Sequence, residues 1–263
     1  MSKITQLHTV LEQIQDGSMI ALGGNVMYRS PVGVATALAK AGKKNLHLVK
    51  TAMAMEADLL CGTGSVSTVS AGFVGYETQY GLCAFYRKGV ESGAVQAQEH
   101  ACYSVITALR AASYGVPFLP IRGFNGSDLV ETIGFKTVKD PYTGEELLAI
   151  AAMRPDVGVL HVQKADCFGN CEIIGSQYED QIIARAAQKL LITCEEIVPD
   201  DYFGTHKKAD LSGVTVTWVV QLKNGAAPGA CPGYYDIDHE TMQRFKTLKT
   251  PEQLKAYLEE GES

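Results

Sequence analysis

The chain has 263 residues, with 23 Lys and Arg against 29 Asp and Glu, for a net charge of −6. That acidic balance argues against a nucleic-acid scaffold, which carries a basic excess, and 46% hydrophobic with 20% charged residues excludes the composition of an unfolded chain. At this length a folded chain buries roughly three-quarters of its surface, so a full core needs no disulfide.

In chain order, Ile4, Leu7, Val10, Leu11 and Ile14 recur at helical spacing until Asp16-Gly17 breaks the pattern ahead of the apolar run Met19-Ile20-Ala21-Leu22. That reads as helix, turn, buried strand. Gly23-Gly24 ends the strand, and Ser30-Pro31 supplies an N-cap and a first-turn proline for a helix closed by Gly42. Strands follow at Leu46–Thr51 and Val66–Val74, then a helix over Ala101–Tyr114 and a strand at Val116–Ile121. A loop-rich stretch covers Gly123–Glu146. Beyond it, strands at Val157–Val162 and Lys189–Thr193 flank a helix from Tyr178 to Gln188, Val214–Val220 is a late strand, and Pro251–Glu260 is a charged helix.

This alternation predicts βαβ units, and hence an α/β fold with an open, mostly parallel sheet flanked by helices. No repeat or linker divides the chain, so residues 1–263 read as one domain. The longest uncharged apolar stretches, Ser18–Met27 and Val214–Val220, fall short of the roughly 20 residues of a membrane span. The N-terminus has no apolar signal core, and the odd set of seven scattered cysteines suits reduced thiols, so a cytoplasmic location is expected.

Several motifs are absent. Gly62-Thr63-Gly64 lacks the third glycine of a dinucleotide fingerprint, Gly42-Lys43-Lys44 is no phosphate loop, and no Gly-x-Ser-x-Gly elbow occurs. Cys167 and Cys171 have no second pair to complete a thiolate metal site, so no metal is expected. Two histidines stand out: His100 beside Glu99, and His161 at a strand end. The segment Leu22-Gly23-Gly24-Asn25 differs by its place, at the carboxyl end of a strand where α/β sheets bind ligands. Its N–H groups suit donation to a developing oxyanion, against the plainer reading of a strand-ending turn.

Ordered blocks over nearly the whole chain resemble the A subunit of the glutaconate type of family I CoA-transferases. They are Gly23-Gly24 with Pro31, then Ala41-Gly42-Lys43-Lys44-Asn45-Leu46 and Glu99 ahead of the helix from 101. Next come Gly115-Val116-Pro117-Phe118 with Arg122-Gly123, and Asp140-Pro141-Tyr142-Thr143-Gly144-Glu145-Glu146. Pro155-Asp156, His161-Val162-Gln163-Lys164-Ala165-Asp166 with Gly169-Asn170, and Glu195-Glu196-Ile197-Val198 complete the series.

The resemblance implies an A2B2 heterotetramer in which coenzyme A is a substrate and no cofactor is permanently bound. The attacking glutamate would come from the B subunit. This chain would supply the facing wall, with Gly23, Gly24 and Asn25 as backbone oxyanion donors; Tyr76 and Tyr80 either line an acyl pocket or belong to core and interface, and Arg122 is either a charge clamp near the thioester or an ordinary structural ion pair. The family's Gly-Gly-Phe reads Gly-Gly-Asn25 here, and its Gly-Ala-His-Pro reads Gly229-Ala230-Cys231-Pro232. Those departures leave open a CoA-thioester C–C hydrolase or decarboxylase with Glu99 as base, or a non-catalytic acyl-CoA-binding module. Asp166 and Asp140 read as turn formers, and the adjacent Glu195 and Glu196 point in different directions, so both cannot serve one site.

Overall fold

The computed structural model describes residues 1–123, 127–205 and 207–260. The strands are β1 (Met19–Leu22), β2 (Leu46–Met53), β3 (Val66–Val74), β4 (Gln96–Glu99), β5 (Phe118–Ile121) and β6 (Lys136–Lys139). They continue as β7 (Glu146–Ala151), β8 (Val157–Ala165), β9 (Cys171–Glu172), β10 (Lys189–Ile197) and β11 (Trp218–Gln221). One sheet has the order β11-β10-β8-β1-β2-β3-β4, with β9 paired to β8, and a second has the order β5-β7-β6. Every pairing along the first path is parallel; β9 on β8 and the whole second sheet are antiparallel. An open α/β sheet is therefore what the chain builds.

β1 lies in the middle, hydrogen-bonded to β2 on one side and β8 on the other, and is buried along Ile20-Ala21-Leu22. A short strand with neighbours on both edges and apolar residues on both faces suits the centre of a parallel sheet. Helices Val32–Lys40 and Met55–Gly62 cover one face together with the C-terminal helices His239–Thr247 and Pro251–Glu260, around Leu38, Leu59, Phe245 and Leu254. Helices Cys102–Ser113 and Asp180–Ala186 cover the other, around Val105, Leu109 and Ile183. The small sheet packs its own cluster of Ile121, Leu148 and Ile150 against Ala108.

Four local expectations change. The strand expected at 116–121 begins at Phe118 and joins the separate antiparallel sheet, because its partner β7 was not foreseen. The loop-rich 123–146 stretch holds helix Leu129–Ile133 and β6, with 124–126 outside the described residues. The late strand starts at Trp218, behind a 3₁₀ turn at Gly213–Thr215. Helix Met55–Gly62 was not anticipated: its residues from Met55 to Cys61 are buried all round, so it carries no amphipathic stripe.

Candidate active site

The carboxyl ends of the parallel strands share one edge, and the chain leaves β1 there through Gly23 and Gly24. Gly23 N–H still donates to Val159 O of β8 at 2.8 Å. Gly24, at φ +68, turns the chain out of the sheet and donates its N–H to Asp180 Oδ1 at 2.9 Å. Asn25 and Tyr28 then exchange backbone hydrogen bonds, each 2.8 Å. A Cβ on Gly23 would lie 2.4 Å from Leu160 Cδ2, and one on Gly24 would lie 2.5 Å from backbone atoms of Arg29 and Tyr28. Packing, as much as the turn itself, demands the diglycine.

Three buried polar groups hold the loop that follows. Where β1 turns away, Thr51 on β2 donates its N–H and Oγ1 to Glu179 Oε1 at 3.0 and 2.7 Å. Arg29, 1% exposed, pairs with Asp180 Oδ2 at 2.7 Å and donates to the carbonyls of His161 and Ser176. Lys50 donates from Nζ to Glu56 Oε1 and Ser30 Oγ, both at 2.7 Å, and Ser30 Oγ donates to Val26 O at 2.8 Å. Arg29 and Lys50 thus each meet a counter-charge, and the buried Glu179 carboxylate is held by hydrogen bonds from Thr51, as burial requires.

In front of this loop lies a groove of about 600 Å³, lined by Asn25, Val26, Ala52, Phe73, Val74, Gly75, Glu77, Thr78, Gly81 and Leu82. Its walls come from the ends of β1, β2 and β3, the position that an open α/β sheet reserves for ligands. The Asn25 carboxamide lines the groove with no hydrogen-bond partner among the described residues. Tyr28, Phe73 and Leu82 are exposed around it.

The expected site residues do not all gather here. The N–H groups of Gly23, Gly24 and Asn25 are each engaged within the chain, so the expectation of free backbone oxyanion donors is corrected: the bend uses them to hold its own shape. Tyr76 is fully buried behind the groove and donates its hydroxyl to Asp58 Oδ2 at 3.0 Å; it is a core residue. Tyr80 faces away, hydrogen-bonded and stacked against His239. Arg122 is 69% exposed on the small-sheet side and forms an ion pair with Glu145 at 2.9 Å, so it is no clamp for this groove. Glu99 lines a different cavity, beside β4.

Sequence reasoning flagged His161 and Glu195 separately and missed that they meet. His161 Nε2 lies 2.8 Å from Glu195 Oε1, and its Nδ1 lies 2.9 Å from Thr193 Oγ1. Glu195 also accepts from the Tyr235 hydroxyl at 2.7 Å and from the N–H groups of Asn224 and Gly225 at 2.8 and 3.2 Å. Burial alone would push the Glu195 carboxyl up, but hydrogen bonds from His161, Asn224 and Tyr235 hold it below the usual range. Burial pulls His161 down despite that carboxylate, and pushes the Cys231 thiol up to about 12. Donor atoms of His161, Glu195 and Cys231 lie within 4.8 Å of one another, the spacing of a metal triad. The imidazole and carboxylate are already satisfied by protein groups, so the cluster works as a lock on the 222–235 loop, at the cysteine-bearing block. Glu196 turns outward to the Tyr234 hydroxyl at 2.9 Å, as adjacent strand residues must.

Comparison with known proteins adds to this geometry. Residues 4–222 match the family described as Coenzyme A transferase. The chain belongs to the coenzyme A transferase family. It is 29% identical over 280 residues to the A subunit of the glutaconate CoA-transferase of Acidaminococcus fermentans, covering 99% of this chain and 88% of that one. It is 30% identical over 266 residues to the A subunit of the 3-oxoadipate CoA-transferase of Pseudomonas knackmussii, covering 99% and 93%. An uncharacterized protein of Archaeoglobus fulgidus is 32% identical over 250 residues, and this chain spans 56% of its length. Among solved structures, the glutaconate coenzyme A-transferase of Acidaminococcus fermentans superposes with a TM-score of 0.93 at 28% identity, covering 98% of this chain and 88% of that one. The decarboxylase AibA/AibB superposes with a TM-score of 0.90 at 30% identity, covering 98% and 99%. No helix among the described residues of this coenzyme A transferase family member is long and apolar enough to cross a membrane.

Proposed function

We propose that this chain is the A subunit of a heteromeric CoA-transferase, moving CoA between an acyl-CoA and a carboxylic acid, with the nucleophilic glutamate on the B subunit. The observation that carries this reading is the likeness to two transferase A subunits over 99% of the chain, combined with an open groove at the carboxyl edge of the sheet. In such a transfer the glutamate carboxylate attacks the thioester carbonyl, releases CoA thiolate and leaves an acyl–glutamyl anhydride. The thiolate then attacks the glutamyl carbonyl, which frees the first acid and forms a glutamyl-CoA thioester; the second acid runs the steps in reverse.

Within that scheme this chain forms one wall. Val26, Ala52 and Phe73 offer apolar surface to an acyl chain, and the Asn25 carboxamide, without a partner among the described residues, offers a hydrogen bond to a polar atom of the acid. Tyr28, Phe73 and Leu82, exposed around the groove, suit a covering partner chain. An A2B2 assembly with most CoA contacts on the B subunit fits an acidic chain with no phosphate loop.

The test is co-purification with the cognate B-type partner followed by CoA exchange between acetyl-CoA and a panel of mono- and dicarboxylates. Exchange is expected only in the presence of both chains. Turnover by this chain alone would move the nucleophile to Glu77, the carboxylate that lines the groove, and would overturn the division of labour. The decarboxylase AibA/AibB has the same scaffold, so a Glu99-based decarboxylase or hydrolase is the second reading. It has less support, because Glu99 and Asn25 line different cavities. Full exchange activity in Glu99→Gln would exclude it.

A further inference from the structure

Val26, on the groove wall, stands at φ +48. Among the described residues it is the one β-branched side chain at positive φ, a region in which Cβ crowds its own backbone. Two residues earlier in the same loop, at φ +68, the chain uses Gly24, which takes such a turn without that strain. A valine so held persists only where its surroundings fix the backbone, and outliers of this kind gather at binding sites.

What fixes it comes from β2 on both sides. The Val26 N–H donates to Ala52 O at 3.3 Å, and the Val26 carbonyl accepts from Ser30 Oγ at 2.8 Å. The direction of the second bond is forced, because a carbonyl oxygen can only accept. Behind Ser30, the Lys50 ammonium, which can only donate, lies 2.7 Å from both Ser30 Oγ and Glu56 Oε1. Lys50 thus fills an acceptor position of the hydroxyl and turns its one proton to Val26 O, in preference to Glu56 Oε1 at 3.4 Å. Ser30, Lys50 and Glu56 are all buried, where a one-way chain of hydrogen bonds is stronger than in water. The transfer steps give none of these three side chains a task, yet their chain ends on the groove wall, where Val26 and Ala52 sit together.

We propose, resting on the transferase reading above, that Ser30 and Lys50 are positioning residues for the acyl group: their relay holds Val26 against Ala52 as the apolar wall that discriminates acids by chain length. Two measurements test it. In hydrogen exchange on the full chain, Ser30→Ala should speed the Val26 amide by about tenfold or more and leave the Thr51 amide, held by Glu179, unchanged. Lys50→Met with Glu56→Gln removes the ammonium without stranding a buried carboxylate. That pair should speed the same amide, and adding it to Ser30→Ala should give no further increase, as for members of one chain. In the reconstituted complex, with acetyl-CoA as donor, Ser30→Ala should lower the kcat/KM ratio of hexanoate to propionate by about tenfold. The change should lie in a higher KM for hexanoate, with kcat kept within about twofold; lost stability alone would affect both acids alike. An unchanged Val26 amide, additive effects of the two changes, or an unchanged acid ratio would each overturn the proposal. A wild-type complex without exchange would overturn the transferase reading instead, and the Val26 amide would still decide the relay.

Discussion

Gly24 and Gly42 share one backbone conformation, φ +68, and differ in what surrounds them. A Cβ at Gly42 meets nothing within 4 Å; at Gly24 it would lie 2.5 Å from Arg29 C, Arg29 O and Tyr28 O. Alanine at Gly42 therefore carries only the strain of the left-handed region, about 1–2 kcal/mol. At Gly24 the same strain is joined by overpacking against backbone that cannot step aside, because the Asn25–Tyr28 pair and the Arg29–Asp180 ion pair pin it. Overpacking of that kind adds about 1–3 kcal/mol, so Gly24→Ala should cost about 2–5 kcal/mol in total. Urea unfolding of both variants, read at constant m-value, measures the difference directly. Equal costs within about 0.5 kcal/mol would refute the tight bend, and with it the placement of Asn25 on the groove wall.

Three further outcomes are expected. His100 and His161 are both held below 6.5 in the folded chain, chiefly by burial, so unfolding binds protons and stability falls as pH drops from 6.5 toward about 4. Thermal melts across that range should decline, less steeply for His100→Gln; a flat profile would contradict the burial argument. Glu195→Ala strands the Tyr235 hydroxyl and two backbone N–H groups, and should cost about 3–5 kcal/mol by urea unfolding, whereas Glu196→Ala at the exposed neighbour should stay within about 0.5 kcal/mol. In the reconstituted enzyme, Asn25→Phe should shift the preference from hydroxylated or dicarboxylic acids toward apolar ones by about tenfold, while Arg122→Ala should leave both unchanged; kcat/KM over the acid panel checks the pair.

The local chemistry of turns was legible because it depends on neighbours in the chain. Asp166 Oδ1 accepts from the N–H groups of Phe168 and Asn170, and Asp140 Oδ1 from that of Tyr142, all within four residues. Tyr76 was misplaced for the opposite reason: an aromatic run does not say which ring faces the core, and its partner Asp58 comes from a helix with no surface stripe to betray it. The backbone donors of the diglycine could not be assigned either, since their acceptors lie on Val159 and Asp180, far along the chain.

From residue order alone came the α/β class, the buried strand at Met19–Leu22 with its glycine pair, and the family resemblance, because periodicity, glycine placement and block order are properties of a linear string. Tertiary structure alone decided that the bend's amides serve the fold, that Asn25 and Glu99 belong to separate cavities, and that His161, Glu195 and Cys231 form one cluster. Each of those facts depends on which segments a parallel sheet brings side by side. Crossover connections set that arrangement at a range over which the sequence carries no periodic signal.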